Sequence, residues 1–126
     1  IISMRLRMRS ELDRSDESLF DIKHGLGGLT DIEFFLQAQI LMHSSAYAQL
    51  AQQRETLTII SCLKKSGLMS EANAEILDNA YEHLLTLGLR CHLNNSRRVV
   101  ARSESLAAIT AAVSEILCSY DFNFEQ

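Results

Sequence analysis

Lys23, Gly25, Gly27, Gly28, Thr30, Asp31 and Glu33 fall within one short stretch of the chain. Few other residues in the sequence have types and spacing that suit chemistry. A lysine beside a glycine-rich turn is suited to an anion, either a phosphate or an acidic side chain, because glycines let the backbone approach a ligand closely. The same glycines equally suit a purely structural turn. Thr30 followed by Glu33 reads as a capping box, with Thr30 as N-cap, and Leu29 and Phe34 stand where a hydrophobic staple would close over it. A helix start also presents unpaired N–H groups, which favour anions. Asp31 and Glu33 invite comparison with a two-carboxylate metal site, but residues two apart on a helix point roughly 200° from each other. Asp31 is more simply explained as a first-turn partner of the helix dipole. The stretch lacks the G-x-x-x-x-G-K-[ST] pattern of a P-loop.

The elements that must position these residues read as helices. Ile1 to Leu12 places Met4, Met8 and Leu12 on one stripe, with the arginines mostly elsewhere; a polar loop follows over Asp13–Ser18. After the glycines, Ile32, Phe35, Leu36 and Ile40 form a core-facing stripe on a helix from Asp31 to about Ser44. Tyr47–Gln53 is a connector or a frayed continuation. Arg54 to Ser66 forms the next helix, with Leu57, Ile60 and Leu63 inward and Gly67 as the C-terminal stop. Ser70 caps a long helix carrying Ala74, Leu77, Tyr81, Leu84 or Leu85, Gly88 and Cys91. Asn94–Arg102 breaks the pattern. Ser103 starts a last helix with Leu106, Ile109, Val113, Ile116 and Leu117, and Asp121–Gln126 reads as a tail. No segment alternates with period two, so no strands are required. The expected fold is all-α, a bundle of about five amphipathic helices forming a single domain over residues 1–126.

Composition agrees. The 126 residues contain no Pro and only five Gly, and 47% are hydrophobic, enough for a core with little to interrupt helices. A net charge of −4 argues against nucleic-acid binding as the main activity. Local basic clusters remain at Arg5, Arg7, Arg9 and Arg14 and at Arg97, Arg98 and Arg102, either solvated faces or surfaces for an anionic partner. Three widely spaced cysteines, Cys62, Cys91 and Cys118, suit reduced, buried thiols in a cytosolic protein. No run reaches membrane-span length. The four histidines have no metal-ligand spacing, and no serine, threonine or cysteine has a nucleophile context. The abrupt Ile1-Ile2 start without a methionine suggests a fragment of a longer protein.

Lys23 followed by Gly27-Gly28-Leu29-Thr30-Asp31-Ile32-Glu33-Phe34 and then Gln37 resembles the K-x(3)-G-G-[IL]-[TV]-D-I-E-F-x-x-Q signature of bacterial glutamine-synthetase adenylyltransferases. These are similar to the PII uridylyltransferases in carrying a helical domain after a nucleotidyltransferase domain. Met4-Arg5 and Met8-Arg9 resemble the helix preceding that signature, and Leu57 to Met69 and Tyr81 to Leu93 resemble the helices after it. The resemblance covers most of the chain to about Leu93 and is weak beyond.

Such enzymes have two related halves. The adenylylating, C-terminal half carries D-I-E-F, whereas the deadenylylating half usually carries R-E-I-E-F, so this chain resembles the former. The resemblance implies transfer of AMP from ATP to a tyrosine of glutamine synthetase in the bacterial cytoplasm, with Mg²⁺, and control by PII protein. It also implies that the metal-binding G-S…D-x-D part lies in a domain upstream of Ile1. No catalytic residue or bound cofactor is then expected in this chain alone. Lys23, Gly27, Gly28 and Asp31 become candidates for a nucleotide-proximal or interdomain surface, with Thr30 and Glu33 as the structural cap. The rival expectation is a stand-alone helical interaction module that binds a partner through its Arg5–Arg14 face. The uridylyltransferase branch is a third, expected to differ at D-I-E-F.

Overall fold

The computed structural model describes residues 2–46, 55–93 and 99–123. Its elements are α1 (Ile2–Leu12), β1 (Leu19–Asp21), α2 (Leu29–His43), α3 (Thr56–Lys65), α4 (Glu71–Leu93), β2 (Val99–Ala101) and α5 (Glu104–Ser119). The helical architecture is as expected. The Tyr47–Gln53 connector and the Arg97–Arg98 pair lie outside the described residues.

Local signals set most helix ends. Gly67 has φ +76°, and the amides of Gly67 and Leu68 donate to the carbonyls of Lys64 and Leu63 at 3.2 and 3.0 Å. That is a Schellman stop, which favours glycine for its left-handed backbone. Ser70 Oγ accepts from the Asn73 amide at 3.1 Å, and Ser103 Oγ from the Leu106 amide at 3.1 Å, so both serines cap their helices.

The core joins Ile32, Phe35 and Leu36 of α2 to Ile59, Ile60 and Leu63 of α3, Leu77 and Leu84 of α4, and Val113 and Leu117 of α5. These are the apolar stripes, brought face to face by burial. Leu57 is the exception, 38% exposed, and its neighbour Ile59 takes the inward place. Of the cysteines only Cys91 is buried; Cys62 is half-buried and Cys118 exposed.

Three further expectations are corrected. First, α1 turns its arginines inward: Arg5 is 0% and Arg9 8% exposed, while Met4 and Leu12 are 54% and 44% exposed. Arg5 and Arg9 share a face at i, i+4, and the buried Asp31 carboxylate on α2 sets the rotation of the helix. Second, two short strands do form, β1 and β2, antiparallel with Phe20 opposite Val100. They are too short to show alternation, and they tie the start of the glycine loop to the start of α5. Arg102 reinforces that tie: its Nε donates to the Asp16 carbonyl at 2.8 Å and its guanidinium lies 5.7 Å from the Phe20 ring centroid. Third, the expected tail begins inside the packing. Tyr120 and Phe122 meet Phe35 edge-on at 5.2 and 5.5 Å between ring centroids, and the Tyr120 hydroxyl donates to the Leu68 carbonyl at 3.1 Å.

Candidate functional site

The turn between β1 and α2 is built on Asp21. Its Oδ1 accepts from the Lys23 and His24 amides, both at 3.0 Å, and its Oδ2 from the Arg14 amide at 3.0 Å. This is an Asx-turn, in which a side chain stands in for a backbone acceptor. Asp21 escaped the sequence reading, although an Asp two positions before Lys23 in a glycine turn was the available signal.

The glycines follow from close packing. Gly27 has φ +77°, and a Cβ there would sit 2.4 Å from the Thr110 carbonyl oxygen of α5; at Gly28 a Cβ would sit 2.6 Å from the Ile22 carbonyl oxygen. Neither contact leaves room for a side chain, so the crowding comes from this chain's own backbone.

The capping box is not formed. The helix starts earlier than expected, with Gly28 as N-cap and no side-chain cap hydrogen bond, and Leu29 lies inside the helix, where it cannot act as the outer half of a staple. The anion-ready N–H groups are also partly taken. The Leu29 and Thr30 amides donate to the carbonyls of Ile22 and Lys23, both at 3.0 Å. Position N3 is Asp31, and its Oδ2 reaches back to the Gly27 amide at 2.7 Å. A capping-box acid would bond the N-cap amide, but the Gly28 amide donates to the Gly25 carbonyl at 2.9 Å, so Asp31 ties down the residue before the cap.

Asp31 is 1% exposed and forms a buried ion pair with Arg5 through the arginine Nε. Arg5 Nη2 donates to the His24 carbonyl at 2.8 Å. One arginine therefore clamps both ends of the loop to α1. Burial pushes the Asp31 carboxyl above its usual range, opposed by the Arg5 charge and the Gly27 N–H. Burial likewise lowers the pKa of His24, with Asp21 opposing, so the imidazole is neutral near pH 7. Arg5 was read only as part of a basic cluster; its partner lies 26 positions away, beyond any local pattern.

The structure thus separates the candidates. Gly27, Gly28 and Asp31 are interior, while Lys23 and Glu33 are exposed and border the same groove. Lys23 stands at a groove of about 410 Å³ between α1 and α2, lined also by Met8, Leu12, His24, Thr30, Glu33, Phe34 and Gln37. Asp31 is committed to Arg5 and Gly27, and among the described residues no group of three His, Cys, Asp or Glu could hold a metal ion. The described residues therefore do not fit a Mg²⁺ site. No helix among the described residues is long and apolar enough to cross a membrane.

Comparison with known proteins places the sequence in a family. The family model of GlnD PII-uridylyltransferase matches residues 3–101. The chain is 43% identical over 116 residues to a bifunctional glutamine synthetase adenylyltransferase/adenylyl-removing enzyme of Stenotrophomonas maltophilia (strain K279a), covering 89% of this chain and 12% of that protein. It is 38% identical over 103 residues to the protein so named in Xanthomonas axonopodis pv. citri, covering 82% of this chain and 11% of that protein. The chain spans about one eighth of the length of the curated relatives it matches. Over residues 3–101, the Lys23 loop among them, the chain belongs to the GlnD PII-uridylyltransferase family, and the relatives it resembles are named bifunctional glutamine synthetase adenylyltransferase/adenylyl-removing enzymes.

Proposed function

We propose that this chain is the helical part of a glutamine-synthetase adenylyltransferase, from the adenylylating half, and that its α1–α2 end packs against a nucleotidyltransferase domain upstream. In this reading the parent protein transfers AMP from ATP to a tyrosine of glutamine synthetase in the bacterial cytoplasm, under control of PII protein. The Mg²⁺-binding carboxylates belong to the upstream domain. This chain supplies one wall of the nucleotide site, and Lys23 faces the phosphates.

The observation that carries the reading is the placement of Lys23. Of the four candidates it alone is exposed, while Gly27, Gly28 and Asp31 are used in holding its loop. Their role is positioning: Asp21 fixes the Lys23 amide, and Arg5 and Asp31 hold the turn from His24 into α2. A positive charge held at the rim of a groove attracts a polyphosphate strongly where water is excluded. The rival reading, docking through the Arg5–Arg14 face, loses support because Arg5 and Arg9 are buried and only Arg7 and Arg14 of that cluster are exposed.

The test is Lys23→Ala in the full-length parent. AMP transfer to glutamine synthetase should show a raised apparent KM for ATP or a lowered kcat, by roughly ten- to a hundredfold for one lost charge-assisted contact of roughly 1.5–3 kcal/mol. Kinetics unchanged from wild type would reduce the loop to a structural hinge. The 126-residue chain alone should transfer no AMP, and robust transfer by it would refute the assignment.

A further inference from the structure

Two residues that line the α1–α2 groove each carry a buried polar atom without a hydrogen-bond partner. Thr30 is 6% exposed, and its Oγ1 is buried without a hydrogen bond; so is Nδ1 of the half-buried His24. Both residues line the same groove as Lys23, and the exposed Glu33 lines it too. Buried polar atoms without partners are rare and costly, and two in one groove beside a lysine point to an absent acceptor. The helix dipole adds its positive end, but the first amides of α2 are taken by loop carbonyls, so side chains must hold whatever binds.

We propose that Lys23 Nζ, Thr30 Oγ1 and His24 Nδ1 form a phosphate subsite on this chain, with Met8, Leu12 and Phe34 as the wall for the apolar part of an organic phosphate. Three donors on one anion suit a phosphate group, which offers three terminal oxygens, better than a carboxylate, which offers two. The volume of about 410 Å³ lies in the range of roughly 300–1,000 Å³ usual for small-molecule sites. Neutral His24 can present Nδ1–H as donor. The charges acting on that ring are those of Asp21 and Asp13, which favour its protonation, and Arg5 and Lys23, which oppose it. The proposal rests on the reading of Lys23 as phosphate-facing and adds Thr30 and His24 to it.

The test is an NMR titration of the ¹⁵N-labelled 126-residue chain with inorganic phosphate, AMP and acetate at constant ionic strength. Phosphate and AMP should shift the His24 ring and Thr30 amide resonances and raise the His24 pKa, with AMP also moving Phe34. Thr30→Val and Lys23→Ala should each weaken phosphate binding about tenfold. Thr30→Val should at the same time raise Tm, because it removes an unpaired buried hydroxyl, an outcome that a purely structural threonine bonded in the fold would reverse. Acetate binding as tightly as phosphate, or no shift at His24 and Thr30 on a well-dispersed spectrum, would overturn the proposal. If Lys23→Ala impairs AMP transfer in the parent while the chain binds no phosphate at Thr30 and His24, the functional reading stands and this subsite falls.

Discussion

Removing Arg5 while leaving Asp31 in place tests the central claim that a buried ion pair, rather than apolar packing, sets how α1 sits on the bundle. Arg5→Met keeps the length and apolar stem of the side chain. It deletes the charge opposite Asp31 and the hydrogen bond to the His24 carbonyl. Asp31, 1% exposed, would keep only the Gly27 N–H as a described donor. Breaking a buried pair by removing one partner costs about 3–5 kcal/mol, because an uncompensated charge is left inside. Against a total stability of about 5–15 kcal/mol for a domain, that is a large share. At about 4 °C per kcal/mol for a domain this size, the melting temperature should drop by roughly 12–20 °C.

The pH dependence supplies a second check on the same variant. Burial already holds the Asp31 carboxyl above the ordinary aspartate value of 3.8, and losing Arg5 raises it further. An acid whose folded pKa exceeds its unfolded value favours the fold below the unfolded value and loses that contribution as pH rises through the folded one. The deficit of Arg5→Met relative to wild type should therefore grow between about pH 4 and pH 7. The double variant Arg5→Met, Asp31→Leu should recover most of the loss, since apolar replacements of buried pairs are often neutral. Urea unfolding across that pH range measures all three effects. A deficit below about 1 kcal/mol at pH 7, or one independent of pH, would refute the reasoning.

Other substitutions probe the remaining joints of the fold. Gly27→Ala and Gly67→Ala both force alanine to positive φ, at a cost of about 1–2 kcal/mol. Only Gly27 also meets a carbonyl oxygen at 2.4 Å, with nothing within 4 Å at Gly67, so its variant should lose about 1–3 kcal/mol more by urea denaturation. Ser103→Ala removes the cap of α5 and should lower stability by about 1 kcal/mol. Phe122→Ala should cost about 2 kcal/mol in the same assay if the ring contact with Phe35 makes residues after α5 part of the fold, whereas a free tail would show no change.

Local sequence was enough to define the helices and several of their ends. Apolar residues recurring every three or four positions, Gly67 after α3, and Ser70 and Ser103 before α4 and α5 act over one or two turns, so a local reading captures them. The family signature was equally legible, because it is a contiguous string from Lys23 to Gln37. The use made of that string depends on packing between elements. Thr30 looked like a cap because its spacing to Glu33 fits one. The loop instead folds back through Asp21, and the Lys23 carbonyl takes the Thr30 amide that Glu33 would have bonded in a capping box. The stripe of Met4, Met8 and Leu12 pointed α1 the wrong way, since the outcome turns on a carboxylate on another helix. Asp31 cannot be buried charged without a cation, and Arg5 is delivered to it at the expense of exposing two apolar side chains. Desolvating an unpaired charge costs more than leaving a Met and a Leu partly in water. That balance is struck between elements distant in sequence, where no periodicity records it.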